Sequence, residues 1–364
     1  MLVLIVLLVI FGLAVLFSSS EYNGRVRFGD SACYFKKQLF ATALGMGVMY
    51  MVSSIDYHFF LRLGPVAYLI SMFLSGAVLF VGQEINGSKR WLNLGPLSFQ
   101  PSEFAKVAVI LFLAWQIERT KKATRGFGFM CRTILTLLPI IGLVGSNNLS
   151  TAIIVMAITV LLLFLVHPKT KRFVVFACVV LVLAVIVVVY LKIQISDMAT
   201  STDFRMRRII AWLNPEANSD KDSYQFLQGL YAIGSGGFFG KGLGNSTQKL
   251  SAIPEAQNDM ILTVICEELG VFGAILILCL FGFMLYRLMF IARNAPDLYG
   301  SLIAAGIFSH IALQVILNIA VVTGLIPTTG VTLPFISYGG TAVVFLLAEM
   351  GIALGISSKI ELKD

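Results

Sequence analysis

Ile261-Leu-Thr-Val-Ile-Cys-Glu-Glu-Leu-Gly-Val-Phe-Gly-Ala-Ile-Leu-Ile-Leu-Cys-Leu-Phe-Gly-Phe-Met-Leu-Tyr286 carries charge only at Glu267 and Glu268. It exceeds the ~20 apolar residues that a helix needs to cross a bilayer core of about 30 Å. Met1–Phe17 and Phe173–Leu191 read the same way. The whole chain of 364 residues is 58% hydrophobic and 13% charged, with mean hydropathy +0.89. A soluble domain carries roughly 25% charged residues, so a soluble enzyme is excluded. Alternating ten-residue segments, the mark of a membrane barrel, are absent, so the spans must be helices that satisfy their own backbone groups. The expected fold is all-α, a polytopic membrane protein.

Apolar windows bounded by polar residues, Gly or Pro predict about ten transmembrane helices, near 1–19, 38–54, 63–82, 102–117, 131–146, 149–166, 172–191, 259–286, 299–323 and 339–357. They form one membrane domain over 1–364. Met1–Phe17 lacks a charged start and a small-residue cleavage site, and reads as the first helix rather than a signal peptide. An even number of spans puts both termini on one side. Loops on that side hold Arg62, Arg119, Lys121, Lys122, Arg125, Lys169, Lys171, Arg287 and Arg293. The excess of Lys and Arg marks it as cytoplasmic. The net charge of +8 is thereby explained by topology, and no aromatic-interleaved basic stretch points to nucleic acid. The five cysteines form no CxxC or Cys/His cluster and read as small buried hydrophobes.

Between helices 7 and 8 lies a large extracytoplasmic loop, about 192–258, the least apolar part of the chain. A connection this long is usually functional or disordered. Here Trp212, Tyr224, Phe226 and Tyr231, together with the glycine-rich run Ile233–Gly244, predict order. Gly87–Glu103 and Gly324–Gly340 are elaborate loops on the same face, so one shared site is expected.

Three groups of residues can carry chemistry there. Glu103 and Lys106 are three apart at the outer end of the fourth helix, facing one way. Ionisable residues within a span are costly and therefore functional candidates, although a plain ion pair with Trp91 as interfacial anchor is the simpler alternative. A helix beginning near Pro254 would set Glu255 and Asp259 side by side at i and i+4, where like charges raise one pKa and suit a general base. The alternative is a helix start whose acids complement the dipole. Glu267 and Glu268 lie ~12 Å deeper by helix rise and need protein, water or a cation such as Lys106. Finally, Lys241 and Lys249 in the glycine-rich stretch, after Arg205, Arg207 and Arg208, could meet phosphate, but the stretch lacks P-loop spacing. His310, with Gln314 and Asn318 on the ninth helix, reads as an interhelical hydrogen-bonding residue. These features describe a protein that processes or moves an anionic lipid, leaving a lipid-linked transferase and a flippase as competing classes.

Asn318-Ile-Ala-Val-Val-Thr-Gly-Leu-Ile-Pro-Thr-Thr-Gly-Val-Thr-Leu-Pro-Phe-Ile-Ser-Tyr-Gly-Gly-Thr-Ala342 resembles the signature of the shape, elongation, division and sporulation family, which includes FtsW, RodA and SpoVE. Lys89-Arg-Trp91, Gln100-Pro-Ser-Glu103 with Lys106, Tyr224-Gln225, Ala232–Gly237, Pro254–Asp259 and Glu267–Gly270 follow the family's order over nearly the whole chain. Asn245–Leu250 followed by Pro254-Glu-Ala looks like the FtsW and SpoVE branch. Where some members of the family carry Lys in the signature this chain has Thr329, and Gln257-Asn258 replaces the His-Thr pair of many relatives, so no cation or imidazole role carries over to these positions.

The resemblance implies polymerisation of lipid II into peptidoglycan on the outer face of a bacterial cytoplasmic membrane. The partners would be a class B penicillin-binding transpeptidase and other divisome or elongasome membrane proteins. The family's essential acid falls on Asp259, which would act as general base, with undecaprenyl diphosphate as leaving group of an inverting transfer. Arg90, Trp91, Glu103, Lys106, Lys241, Glu255 and Glu267 are the expected substrate-binding residues. A divalent cation, Mg or Mn, would suit the diphosphate, but no ligand cluster in the sequence supports one.

Overall fold

The computed structural model describes residues 1–85, 88–94, 97–120, 127–167, 170–193, 204–215, 221–250, 253 and 256–361. Helices fall in all the expected windows: α1 Leu2–Phe28, α2 Cys33–Ser54, α3 Phe59–Val81, α4 Pro101–Arg119, α5 Phe127–Asn147, α6 Leu149–Val166 and α7 Thr170–Ile193. In the large loop α8 spans Phe204–Leu213 and α9 spans Lys221–Gly236; then come α10 Ile261–Asn294, α11 Leu298–Val322 and α12 Thr341–Ser357. Among the described residues six helices, α1, α3, α5, α6, α10 and α11, are long and apolar enough to cross a membrane, and α12 is a shorter apolar helix. The chain is a multi-pass membrane protein.

A small antiparallel sheet departs from the expectation of helices alone: β1 Gln83–Ile85, β2 Ser88–Leu94 and β3 Leu97–Phe99, in that order. Gln83 pairs with Trp91 and Leu92 with Phe99. The dipeptide Asn86-Gly87 between the first two strands is a strong hairpin signal in the sequence, while β1 and β3, at three residues each, are too short to show alternation.

Packing centres on α4, where Ala105, Ala108, Val109, Leu113, Ala114 and Ile117 are fully buried. Pro101 opens this helix at a position where the missing N–H costs nothing. Exposed Leu, Val and Phe side chains on α1, α3 and α7 are a lipid-facing surface rather than a defect.

The end of the bundle away from the sheet is stapled by polar residues. Tyr57 Oη donates to Asp297 at 2.6 Å, and His58 bridges Asp56 and Asp297 at 2.8 Å on each ring nitrogen. Hydrogen bonds from Lys359, the His58 backbone and the His58 ring hold the Asp56 carboxyl well below the usual range. Burial works to raise Asp297, but bonds from the Gly300 N–H and Tyr57, with the His58 charge, outweigh it and lower its pKa.

α10 is not one continuous helix. Gly270 has φ +67° and ψ −165°, and the backbone breaks there. The Lys241 and Gly242 N–H groups donate to the Glu267 and Glu268 carbonyls at 2.9 Å. In return the Val271 and Phe272 N–H groups donate to the Gly237 and Phe238 carbonyls at 3.1 Å. Broken helix is tolerated at membrane depth only where protein satisfies the freed groups, and the glycine-rich run does so. The contact requires glycine: a Cβ on Gly240, itself at φ +77°, would stand 2.2 Å from the Glu268 carbonyl oxygen, and one on Gly236 would stand 1.9 Å from that of Cys266.

Candidate active site

The signature segment between α11 and α12 dips into the bundle. Val331 and Leu333–Ser337 are buried, and the turn at Phe335, a non-glycine residue at φ +62°, presses on α1 where a Cβ on Gly12 would meet the Phe335 carbonyl at 2.6 Å. Side chains from several helices tie it down. Gln38 of α2 accepts from the Gly339 and Gly340 N–H groups at 3.2 Å, and Ser150 of α6 donates to the Thr329 carbonyl at 2.8 Å. Trp212 of α8 donates to the Gly324 carbonyl at 2.7 Å.

Asn318 joins this segment to the one before α10. Its buried amide nitrogen donates to both the Asp259 carbonyl and the Val331 carbonyl at 2.8 Å. Two donors on one NH₂ thus fix two loops against each other. The Tyr338 N–H also donates to the Gln257 carbonyl at 2.9 Å.

These captured carbonyls explain a correction to the sequence reading. Helix begins at Ile261, not near Pro254, and residues 256–260 form turns, because the Gln257 and Asp259 carbonyls are used by the signature segment and α11. Asp259 therefore does not lie in a second helical turn. Glu255, with its expected pairing to Asp259, lies outside the described residues.

Between the two loops, the sheet and α4 opens a cavity of about 380 Å³. Asp259, Glu103, Lys106, Arg90 and Trp91 all line it, so the structure brings together five of the expected site residues. Lys106, only 2% exposed, is 2.9 Å from Glu103 and 3.4 Å from the Gln314 amide oxygen. Gln314 in turn donates to the Thr332 carbonyl at 3.0 Å. Arg90 is fixed by its Nε donating to the Asn147 carbonyl at 2.8 Å.

Arg27 and Arg208 also line the cavity and were not among the expected site residues. Arg208 donates to the Thr328 carbonyl at 3.3 Å, and a Cβ built on Gly330 would lie 3.9 Å from both its Nη1 and Asp259 Oδ2. Gly330, at φ +72°, is thus the narrow seat between acid and guanidinium. The signal for Arg208 was present in the Arg205–Arg208 cluster, but spacing did not say which arginine turns inward.

Lys241 and Glu267 are elsewhere. They pair at 2.7 Å, with Ser246 donating to Glu267 at 2.5 Å and Thr247 at 3.0 Å through its hydroxyl. Glu268 meets Lys249 at 2.7 Å, and Ser18 of α1 donates to both its oxygens at 2.7 and 2.8 Å. The partners of these acids are therefore loop lysines rather than Lys106, and the two pairs clamp the glycine-rich run to α10 and α1. His310 pairs with Glu349 of α12 at 2.8 Å, as an interhelical role required. Among the described residues no three His, Cys, Asp or Glu side chains gather as metal ligands.

The cavity combines two carboxylates with four cationic side chains beneath a loop that the sequence likened to a family signature. The family model for FtsW, RodA and SpoVE, described as cell cycle protein, matches residues 1–361. Stage V sporulation protein E of Bacillus subtilis is 37% identical over 98% of this chain and 95% of its own length. A probable peptidoglycan glycosyltransferase FtsW of Trichlorobacter lovleyi is 35% identical over 100% and 93%. Among solved structures, a chain from a peptidoglycan synthase complex that coordinates polymerization and crosslinking superposes with a TM-score of 0.77, at 27% identity over 97% of this chain and 96% of that one. The rod shape determining protein RodA of Thermus thermophilus superposes with a TM-score of 0.68, at 25% identity over 100% and 97%. On fold, signature and full-length similarity together, the chain belongs to the FtsW, RodA and SpoVE family of cell cycle proteins.

Proposed function

We propose that this chain is a peptidoglycan glycosyltransferase that polymerises lipid II, with Asp259 as general base. The observation that carries the reading is the convergence of Asp259, Glu103, Lys106 and Arg90 on one large cavity at the loop-rich end of the bundle. Asp259 takes the proton from the acceptor 4-hydroxyl, whose oxygen attacks the donor anomeric carbon in line. The bond to undecaprenyl diphosphate breaks as the new bond forms, so an α-linked donor gives a β-linked product. Negative charge grows on the leaving diphosphate, and fixed cations that need no reorganisation are the usual means of stabilising it. Arg90, Arg208, Arg27 and Lys106 occupy the walls for this task. Lys241, bound to Glu267 outside the cavity, is not among them.

Purified chain reconstituted with lipid II, with and without a cognate class B transpeptidase, tests the reading. Glycan polymer supports it. Translocation of lipid II without polymer, even with the transpeptidase present, would overturn it in favour of a flippase.

The Glu103–Lys106 pair gives a second test. Removing one partner of a buried pair costs about 3–5 kcal/mol in a closed interior, and less where the pair borders an open cavity, as here. Glu103→Gln should lower both thermal stability and polymerisation, and Lys106→Met should lower polymerisation by ~10²-fold, as the loss of a fixed charge-stabilising donor does. Unchanged polymer yield from both variants would make the pair structural only.

The charge bias of the loops orients the cavity outward and both termini to the cytoplasm. Asn245→Cys should then react with an impermeant maleimide in intact cells while Asn294→Cys does not. Reaction at the second position alone would reverse the topology.

A further inference from the structure

The turn that enters the break in α10 carries two phenylalanines that face away from the protein. Phe238 is 59% and Phe239 78% exposed, with ring centroids 4.9 Å apart at 85°. They lie on the exposed side of a turn whose other side is closed by backbone bonds to Glu267, Glu268, Val271 and Phe272.

Helix rise fixes the depth of this turn. Climbing ~1.5 Å per residue from Tyr286, next to charged Arg287, α10 reaches Phe272, just short of the break, after ~21 Å. Along α1 the same count from Leu2 puts Ser18, the partner of Glu268, at ~24 Å, so two helices agree to within about a turn. Since a hydrocarbon core is about 30 Å thick, Phe272 is inside it. The Phe238 carbonyl accepts from the Phe272 N–H at 3.1 Å, which leaves Phe238 no more than a helical turn above that level. Val271, Phe272 and Ile275 are also exposed, so the two rings continue an apolar stripe already bound to face lipid.

We infer that the Gly236–Gly240 turn is re-entrant, and that Phe238 and Phe239 insert among the acyl chains of the leaflet on the cavity's side of the membrane. The occupant of this surface is bulk lipid. Charged Lys241, one residue beyond, is drawn back to Glu267 and Ser235 at 2.7 and 3.0 Å, which keeps its ammonium out of the acyl region. Glycines at 236 and 240 let the backbone come close enough to α10 to reach this depth without leaving its bonds to the Glu267 and Glu268 carbonyls unmade. The inference is independent of what the cavity catalyses.

Full-length Phe239→Trp in vesicles of phosphatidylethanolamine and phosphatidylglycerol tests it. The added emission is read as the difference from wild type, which removes the contribution of the three native tryptophans. Lipids brominated near the headgroup end of the acyl chain should abolish most of the added emission, those brominated near the bilayer centre less of it, and aqueous iodide should leave it. Quenching by iodide with none by brominated lipid would place the turn in water and overturn the inference. Acyl quenching that disappears when the transpeptidase is co-reconstituted would also overturn it, by making the occupant a protein. Because an exposed Phe→Trp change leaves the glycines and backbone bonds intact, the variant keeps the fold.

Discussion

Asp259→Asn should reduce lipid II polymerisation by ~10²–10⁴-fold, the range supplied by a positioned general base, while expression, membrane insertion and thermal stability stay near wild type. Asn is nearly isosteric but cannot take the acceptor proton. The fold should survive because Asn318 holds the Asp259 backbone carbonyl, which the substitution leaves in place. Polymer yield and melting temperature measured on the same preparation separate these effects. Wild-type polymerisation in the variant would remove Asp259 from the chemistry, whereas loss of polymer together with a large fall in melting temperature would show a loop that had lost its position.

The largest effect on stability is expected at Lys249→Met. Lys249 and Glu268 are 4% and 1% exposed, and the ammonium also donates to Ser18 and to the Gly244 carbonyl at 2.8 Å. The variant leaves a carboxylate buried without its counter-charge, a change that costs about 3–5 kcal/mol. Lys249→Met combined with Glu268→Gln removes the stranded charge and should recover part of the loss. Chemical denaturation in detergent of the two single variants and the double variant yields the coupling between them. If the double variant were no more stable than Lys249→Met, the pair would not be acting as a unit.

The helices were readable because each span must be apolar over a whole bilayer thickness, a signal that averages over many residues. The carboxylates and cations of the cavity were readable in part, since an ionisable residue in an apolar helix stands out, as Glu103 and Lys106 do, and these two line one cavity with Asp259. What periodicity could not reveal was any position decided by a distant partner. The start of α10 depends on carbonyls taken by Asn318 and Tyr338, the partners of Glu267 and Glu268 are lysines in a loop of no regular period, and Arg208 is held at the cavity wall by a bond to the Thr328 carbonyl of the signature segment. The small sheet escaped because its two outer strands, at three residues each, carry too little pattern.

The packing of α2 on α12 also sets the order in which the protein can be assembled. A Cβ on Gly351 would lie 2.6 Å from the Met49 carbonyl oxygen, one on Gly355 3.2 Å from that of Ser53, and one on Gly45 3.2 Å from the Val344 Cα, so the two backbones touch along their length. Small residues at such contacts are what let helices associate in lipid. Yet α2 leaves the ribosome among the first spans and α12 follows long after it. Throughout synthesis the glycine-lined flank of α2 has no mate and must be covered by lipid or by the insertion machinery. Closure of the bundle, and with it the seating of Gly339 and Gly340 on Gln38 beside the cavity, is therefore an event that follows translation. A chain cut before Thr341 would insert its early spans and still never build the site.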